Sequence, residues 1–320
     1  MTRKQKIALA LKVLISVGLI AWLFATKMDL GAVQDRLARI SPLLLVAALG
    51  VLVVQMFIGG VRWKVVTDAI GARLPLGTAV RLFYIGTFFG QILSVGGDAV
   101  RVYKAYRGGM SLAGAFNGVF LERAGTVLAL LLVVAATQPV LVGRVAPDKA
   151  GVLLATAAIA FAAGVGGLVL LTFIHRLPDS LDRFKTIRGF RAVAADTRRV
   201  FFTPGPLARL LTWGVLTHVN LTFAVYVLAL ALDIRVTWLD CLALVPPVML
   251  ITTLPISIGG WGVREVAMTV AFGLIGVTQN DAGALSILAG LAGLAVSLPG
   301  GVLWLQGGDR RLGLDPENPA

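Results

Sequence analysis

The stretch LLLVAALGVLVVQMFIGGV, from Leu43 to Val61, contains one polar residue, Gln55, and no charge. A helix needs about 20 such residues to cross the hydrocarbon core of a bilayer. Similar apolar runs fill the rest of the 320 residues, of which 58% are hydrophobic and only 14% charged. A soluble domain has about 25% charged residues, so a soluble fold is excluded. We expect an all-α integral membrane protein, a polytopic helical bundle in which residues 1–320 form a single membrane domain.

The other full spans that the hydropathy pattern predicts are residues 7–25, 112–136, 151–173, 210–232 and 282–305. Two further apolar segments are interrupted. Residues 76–97 have basic residues on both sides and contain glycines at 86, 90, 96 and 97, and residues 239–258 contain Pro246, Pro247 and Pro255. Proline and glycine break helices, and broken helices occur in membranes where they are covered by protein. We therefore expect re-entrant or broken helices at both places.

The charge balance predicts orientation in the membrane. Lys and Arg total 29 against 16 Asp and Glu, a net charge of +13, and cytoplasmic loops collect basic residues. We therefore expect these parts of a multi-pass plasma membrane protein in the cytoplasm: both termini, the basic residues Arg62, Lys64 and Arg73 after the second span, and the basic connector 175–209. The spacing within the connector suits an interfacial amphipathic helix that ends at Pro204 and Pro206. Anionic lipid, not nucleic acid, is the expected partner of this charge. With one cysteine and two histidines, we expect no disulfide, metal or cofactor.

An eight-residue motif occurs twice. Ser94-Val-Gly-Gly-Asp-Ala-Val-Arg101 and Ser257-Ile-Gly-Gly-Trp-Gly-Val-Arg264 are identical at five positions, similar at two more and 163 residues apart, about half the chain. Such an offset indicates duplication, with coincidence between two glycine-rich loops as the alternative. Three predicted spans separate the copies, which places them on opposite sides of the membrane. This predicts two inverted-topology repeats, with 1–150 as the first half and 210–309 as the second, and a ligand site where they meet.

The motif residues are suited to binding an anion, because glycines at a helix start let a ligand approach free backbone N–H groups and an arginine can hold a phosphate with two hydrogen bonds. Ionisable residues inside the apolar spans are further candidates. The predicted lipid-binding residues are Ser94, Gly96, Gly97, Asp98, Arg101, Glu122, Arg123, Ser257, Gly259, Gly260, Arg264 and Glu265. The structural alternatives are an ordinary helix start with Asp98 as N-cap, and ion pairs between the halves, for example Glu122 with Arg264 or Glu265 with Arg101.

Around these motifs the sequence resembles the membrane region of the lysylphosphatidylglycerol synthase (multiple peptide resistance factor) family, which is flippase-like and occurs in bacteria and archaea. The resemblance rests on Gly96-Gly-Asp-Ala-Val-Arg101, Leu121-Glu-Arg123 and Pro255-Ile-Ser-Ile-Gly-Gly-Trp-Gly-Val-Arg-Glu265, and it extends over residues 7–305. It implies an inner-membrane protein that handles an anionic or aminoacylated lipid. Full-length synthases carry a C-terminal aminoacyltransferase domain, which is absent from this sequence, so synthase activity is not expected.

The expected function is binding an anionic, phosphate-bearing or aminoacylated lipid or moving it between leaflets. One alternative is an integral-membrane transferase acting on a lipid or a polyprenyl phosphate, but no nucleotide loop, metal triad or nucleophile–base pair is visible in the sequence. A second alternative is a non-catalytic membrane partner of a separately encoded lipid-modifying enzyme. The sequence therefore favours a transporter-like protein over an enzyme.

Overall fold

The structure is a computed structural model, and it describes residues 3–93, 96–143, 151, 155, 158–159, 161–167, 169–170, 185–254 and 256–306. Within these ranges the regular secondary structure is helical, and no strand occurs. The all-α prediction is confirmed. The helices are α1 (Arg3–Thr26), α2 (Leu30–Ala38), α3 (Pro42–Ala69), α4 (Leu76–Leu93), α5 (Gly96–Arg107), α6 (Leu112–Val142), α7 (Lys185–Phe201), α8 (Pro204–Ala231), α9 (Trp238–Thr252), α10 (Val263–Gly273) and α11 (Gln279–Gln306).

Four of the described helices, α3, α6, α8 and α11, are long and apolar enough to cross a membrane. A fifth span results if α1 and α2, which meet at a bend of 96°, are counted as one. The chain is therefore a multi-pass membrane protein. The predicted span 151–173 and the first part of the connector 175–209 lie largely or wholly outside the described residues. In the remainder of that connector, α7 is the amphipathic helix that the charge pattern suggested, and it ends before Pro204.

The spans are longer than hydropathy alone predicts. Helix α3 continues eight residues past Val61 to Ala69, and α8 begins at Pro204 instead of 210. Proline occupies the first position of both helices, where its missing N–H costs nothing. The hydropathy pattern ended the second span at Arg62, which was expected at the cytoplasmic surface. This was wrong, because Arg62 is only 2% exposed and its charge is paired inside the bundle.

The two interrupted segments break at the repeated motif. Helices α4 and α5 are separate and pack against each other, with the break after Leu93. In the second segment α9 continues through Pro246 and Pro247 and ends at Thr252. The break predicted from the prolines therefore comes later, between α9 and α10. There Gly259, Gly260 and Gly262 have φ of 56°, 81° and 84°, a region that residues with a β-carbon avoid.

The described helices follow the same order twice: a long helix, a broken pair and a long helix. The first series is α3, α4–α5 and α6, and the second is α8, α9–α10 and α11. Their contacts correspond. The two first helices, α3 and α8, pack on each other. Helix α4 packs on the last helix of the second series, α11, and its counterpart α9 packs on the last helix of the first series, α6. Helix α5 packs on α6, and its counterpart α10 packs on α11. Helices α1 and α2 stand outside this scheme and pack on α10 and α11 respectively.

Candidate anion site in the membrane domain

Glu122 is the centre of a buried ionic cluster. It is the eleventh residue of α6, about 15 Å from the start of that helix at 1.5 Å per residue. Its side chain is fully buried. One carboxylate oxygen, Oε1, accepts a hydrogen bond of 2.6 Å from Arg62 Nε on α3, and the other, Oε2, accepts one of 3.0 Å from Arg101 Nη1 on α5. Glu122 therefore joins three helices, and Arg62 extends the cluster to Thr217 on α8.

The Arg101 guanidinium is in contact with charged and aromatic side chains, but not all of its N–H donors form hydrogen bonds. It is 2% exposed, and its Nη1 also lies 3.3 Å from Asp98 Oδ1. The guanidinium carbon lies 4.3 Å from the ring centroid of Trp63 and 5.0 Å from that of Phe83. Its other two nitrogens, Nε and Nη2, are buried and find no hydrogen-bond acceptor within the described part of the chain, and the same is true of Trp63 Nε1. The cluster thus contains three buried N–H nitrogens whose hydrogen-bonding capacity is unused.

Asp98 and Arg123 form the outer side of this cluster. Arg123 donates from Nε and Nη2 to the two carboxylate oxygens of Asp98, at 2.8 and 2.9 Å. The Arg123 side chain is 54% exposed and the Asp98 side chain 32%, whereas those of Arg62, Arg101 and Glu122 are almost inaccessible. Three guanidinium groups thus face two carboxylates, which leaves an excess of one positive charge. Asp98 is the third residue of α5 and therefore not its N-cap, which was the structural alternative. Its carboxylate instead pairs with Arg101 and Arg123.

Glycines bring α5 close enough to α4 to form the cluster. A β-carbon on Gly97 would overlap the carbonyl oxygen of Gly86 and come within 2.9 Å of the backbone nitrogen of Gly90. Gly86 leaves room for the Arg101 side chain, whose Cγ and Cδ would lie 2.5 and 2.6 Å from a β-carbon there. Gly96 and Gly97 form the first turn of α5. The paired glycines of the first motif therefore serve helix packing at least as directly as ligand approach.

A second cluster surrounds the other copy of the motif. Arg264 Nη2 lies 2.8 Å from Glu265 Oε1, and Arg264 Nε lies 3.3 Å from Ser286 Oγ on α11. The other carboxylate oxygen of Glu265 accepts a 2.6 Å bond from the Gly262 N–H, which caps the start of α10. Trp261 lies under the Arg264 guanidinium at 4.6 Å, as Trp63 lies under Arg101. This pair carries no excess charge, in contrast to the Arg101 cluster.

The ion pairs suggested between the halves are not present. Glu122 pairs with Arg62 and Arg101, and Glu265 pairs with the adjacent Arg264. The partners of Glu122 depend on which helices come together, which the spacing of the motifs does not determine, whereas the Arg264–Glu265 pair lies within one helix. Of the remaining candidates, Gly259 and Gly260 form the turn before α10, and Ser257 is buried. Ser94 lies outside the described residues.

The segments around the two motifs do approach each other. A β-carbon on Gly259 would lie 2.8 Å from the carbonyl oxygen of Gln91, close to the end of α4. A β-carbon on Gly293 of α11 would lie 3.3 Å from Gln91 Nε2. The C-terminal end of α4 is therefore inserted between the second motif and α11, which brings the two halves together at their broken segments.

Arg62 and Trp63 belong to the Arg101 cluster but were not among the predicted site residues. Arg62 was assigned to the cytoplasmic surface, and Trp63 would be expected at the membrane interface on its residue type alone. A signal was present in the sequence, since Gln55 and Arg62 are seven residues apart and so lie on one helix face with Gly59 between them. In the structure that face meets α8, where Gln55 accepts a bond from Asn220.

Comparison with known proteins agrees with this architecture. No curated protein matches the chain. The family described as Lysylphosphatidylglycerol synthase TM region matches residues 9–301, which include both motifs, both ionic clusters and α3, α6, α8 and most of α11. Because the match extends over most of the sequence, the chain belongs to the lysylphosphatidylglycerol synthase TM region family.

Proposed function

We propose that this protein binds the phosphate-bearing headgroup of an anionic lipid at the Arg101 cluster and carries it between the leaflets of the membrane. The observation that carries the proposal is the buried Arg101 guanidinium, two of whose nitrogens lack an acceptor. A buried donor without a partner is costly, and more so next to an uncompensated positive charge in a membrane. A phosphate oxygen would supply both the acceptor and the missing negative charge.

The residues take different roles in this proposal. Arg101 donates to the headgroup, and Glu122 and Arg62 hold Arg101 in place. Asp98 and Arg123 lie at the exposed side and open to admit the ligand. Arg264 offers a second contact in the other half, with Glu265 and the turn through Gly259 and Gly260 positioning it. Because the fork of Arg264 is already engaged by Glu265 and Ser286, it is the weaker of the two sites in this conformation.

The repeated helix order supports transport as well as binding. If α3–α6 and α8–α11 are inverted repeats, their broken pairs enter the bundle from opposite sides and meet where Gln91 contacts Gly259. Transporters with this construction bind their ligand between the repeats and expose it alternately to each side. We propose the same arrangement here, in a bacterial inner membrane with both termini cytoplasmic.

Replacing Arg101 by lysine tests the binding site. Lysine keeps the charge facing Glu122 but has no planar fork to offer a phosphate. We expect affinity for labelled phosphatidylglycerol to fall about tenfold or more, a loss of ~1.4 kcal/mol, with little change in thermal stability. The measurement is titration of the lipid into purified protein, with transfer between leaflets of vesicles followed in parallel.

The matched control is Arg36→Lys. Arg36 also forms an ion pair, with Asp281 at 2.7 Å, but it is half-exposed and lies on α2 away from the cluster. This variant should bind lipid as the unmodified protein does. The proposal is wrong if Arg101→Lys binds phosphatidylglycerol with unchanged affinity, or if neutral and anionic lipids bind equally well.

Cysteine labelling tests the inverted arrangement. The turn between α5 and α6 corresponds to the turn between α10 and α11, so inverted repeats place these turns on opposite sides of the membrane. Tyr106→Cys and Gln279→Cys are suited to this because both positions are exposed, and the native Cys241 is buried. We expect an impermeant thiol reagent added to intact cells to label Gln279→Cys and not Tyr106→Cys. Labelling of both from one side would exclude inverted repeats.

A further inference from the structure

Helix α8 carries two buried polar side chains, one helical turn apart, that each have an unused polar atom. His218 is 4% exposed and Thr222 is fully buried. Neither His218 Nδ1 nor Thr222 Oγ1 has a hydrogen-bond partner among the residues that the structure describes. His218 is the fifteenth residue of this 28-residue span, so both atoms lie deep in the membrane domain.

The hydrogen-bonding role of the imidazole is determined by its other nitrogen. His218 Nε2 lies 3.0 Å from the carbonyl oxygen of Thr126 on α6. A carbonyl only accepts, so Nε2 carries the proton and the neutral ring leaves Nδ1 as an acceptor. Gly214, one turn earlier on α8, packs on Ala129 of α6, which places the ring in the interface between these two helices.

The Thr222 hydroxyl differs from those of the other buried threonines in that it does not donate to a backbone carbonyl of its own helix. The other described threonines with buried side chains each donate to a carbonyl three or four residues earlier: Thr67, Thr137, Thr197, Thr217 and Thr269. Such bonds satisfy the hydroxyl group when no other acceptor is near. Thr222, in contrast, makes no side-chain bond to the carbonyl of His218, so its hydroxyl donor remains available.

We infer that water occupies a polar site between His218 and Thr222, donating a hydrogen bond to Nδ1 and accepting one from Oγ1. Side chains at i and i+4 have β-carbons about 5–6 Å apart, a separation that one water can bridge. Buried water is found where polar groups would otherwise lack partners, whereas purely apolar cavities stay dry. A hydrocarbon surrounding makes two unpaired polar atoms still less favourable.

A chain of polar contacts leads from an exposed side chain to this site. It begins at the exposed Arg123 and passes through Asp98 and Arg101 to Glu122. Thr126 Oγ1 donates to the backbone oxygen of Glu122 at 2.7 Å, and the backbone oxygen of Thr126 in turn contacts His218. The water inference does not depend on lipid binding. If the proposed function holds, a hydrated site at this depth also lowers the cost of moving a charged headgroup past the middle of the bundle.

Thiol reactivity at position 222 tests the inference. Thr222→Cys, in protein whose Cys241 is replaced by alanine, is treated with a small methanethiosulfonate ethylammonium reagent in the membrane. The matched control is Ala224→Cys on the same helix, 1% exposed and part of the apolar core. We expect Thr222→Cys to react roughly tenfold faster or more, because only the thiolate reacts and an apolar site suppresses its formation.

His218→Cys provides a second report if Thr222→Cys does not fold, as judged by size-exclusion chromatography. It too should react faster than Ala224→Cys. Equal, slow reaction of the cysteines at 218, 222 and 224 would overturn the inference. Because no lipid is added, a failure here is distinct from a failure of lipid binding by Arg101→Lys, and the two results are read separately.

Discussion

Glu122→Gln should destabilise the protein more than any other single charge substitution considered. The change leaves Arg62 and Arg101, both about 2% exposed, facing a neutral amide in place of the carboxylate that joins them. Removing one partner of a buried ion pair costs about 3–5 kcal/mol, since the remaining charge is left uncompensated. We expect a large fall in melting temperature in detergent and a smaller yield of monodisperse protein. Asp68→Asn, which breaks the exposed pair with Lys64, should have little effect.

Double substitutions identify the partner. Arg62→Gln combined with Glu122→Gln removes one charge of each sign, so it should recover a substantial part of the lost stability. Arg264→Gln combined with Glu122→Gln should show additive losses, because Arg264 is paired with Glu265 in a separate cluster. Recovery in the second pair and not the first would contradict the described cluster.

Gly97→Ala should separate α5 from α4 and disable the Arg101 site. The added methyl group would overlap the carbonyl oxygen of Gly86, and backbone atoms cannot move aside as a flexible side chain can. Overpacking of this kind costs about 1–3 kcal/mol, and here it also displaces the helix that carries Arg101. We expect lipid binding to be lost, with a moderate decrease in melting temperature.

Gly90→Ala is the control for this substitution. Gly90 lies on α4 at the same interface, but a β-carbon there would meet nothing within 4 Å. Alanine is also the better helix former, so this variant should be as stable as the unmodified protein or slightly more so. If Gly97→Ala matches Gly90→Ala in both melting temperature and lipid binding, the close approach of α4 and α5 does not determine the site.

The sequence by itself determined the class of protein and the position of its interruptions. Apolar runs of about 20 residues have one stable solution in a bilayer, a helix, because backbone polar groups find no water there. A broken helix was predicted in each half, from the glycines within residues 76–97 and from the prolines within residues 239–258. The prolines of α9 misled the prediction, since Pro246 and Pro247 are accommodated inside a helix that neighbouring helices cover.

Only the tertiary structure decided which charges meet. Hydropathy treats an arginine as surface-seeking, and so Arg62 was assigned to the membrane boundary. Its position in the bundle depends on Glu122, which is 60 residues away, and on the packing of α3 against α6 and α8. An ion pair between distant helices follows from three-dimensional contact and not from local spacing, and a buried charge is stable only once that contact forms. The same reason explains why Arg101 pairs with Glu122 on another helix, whereas Arg264 pairs with Glu265, its neighbour on the same helix.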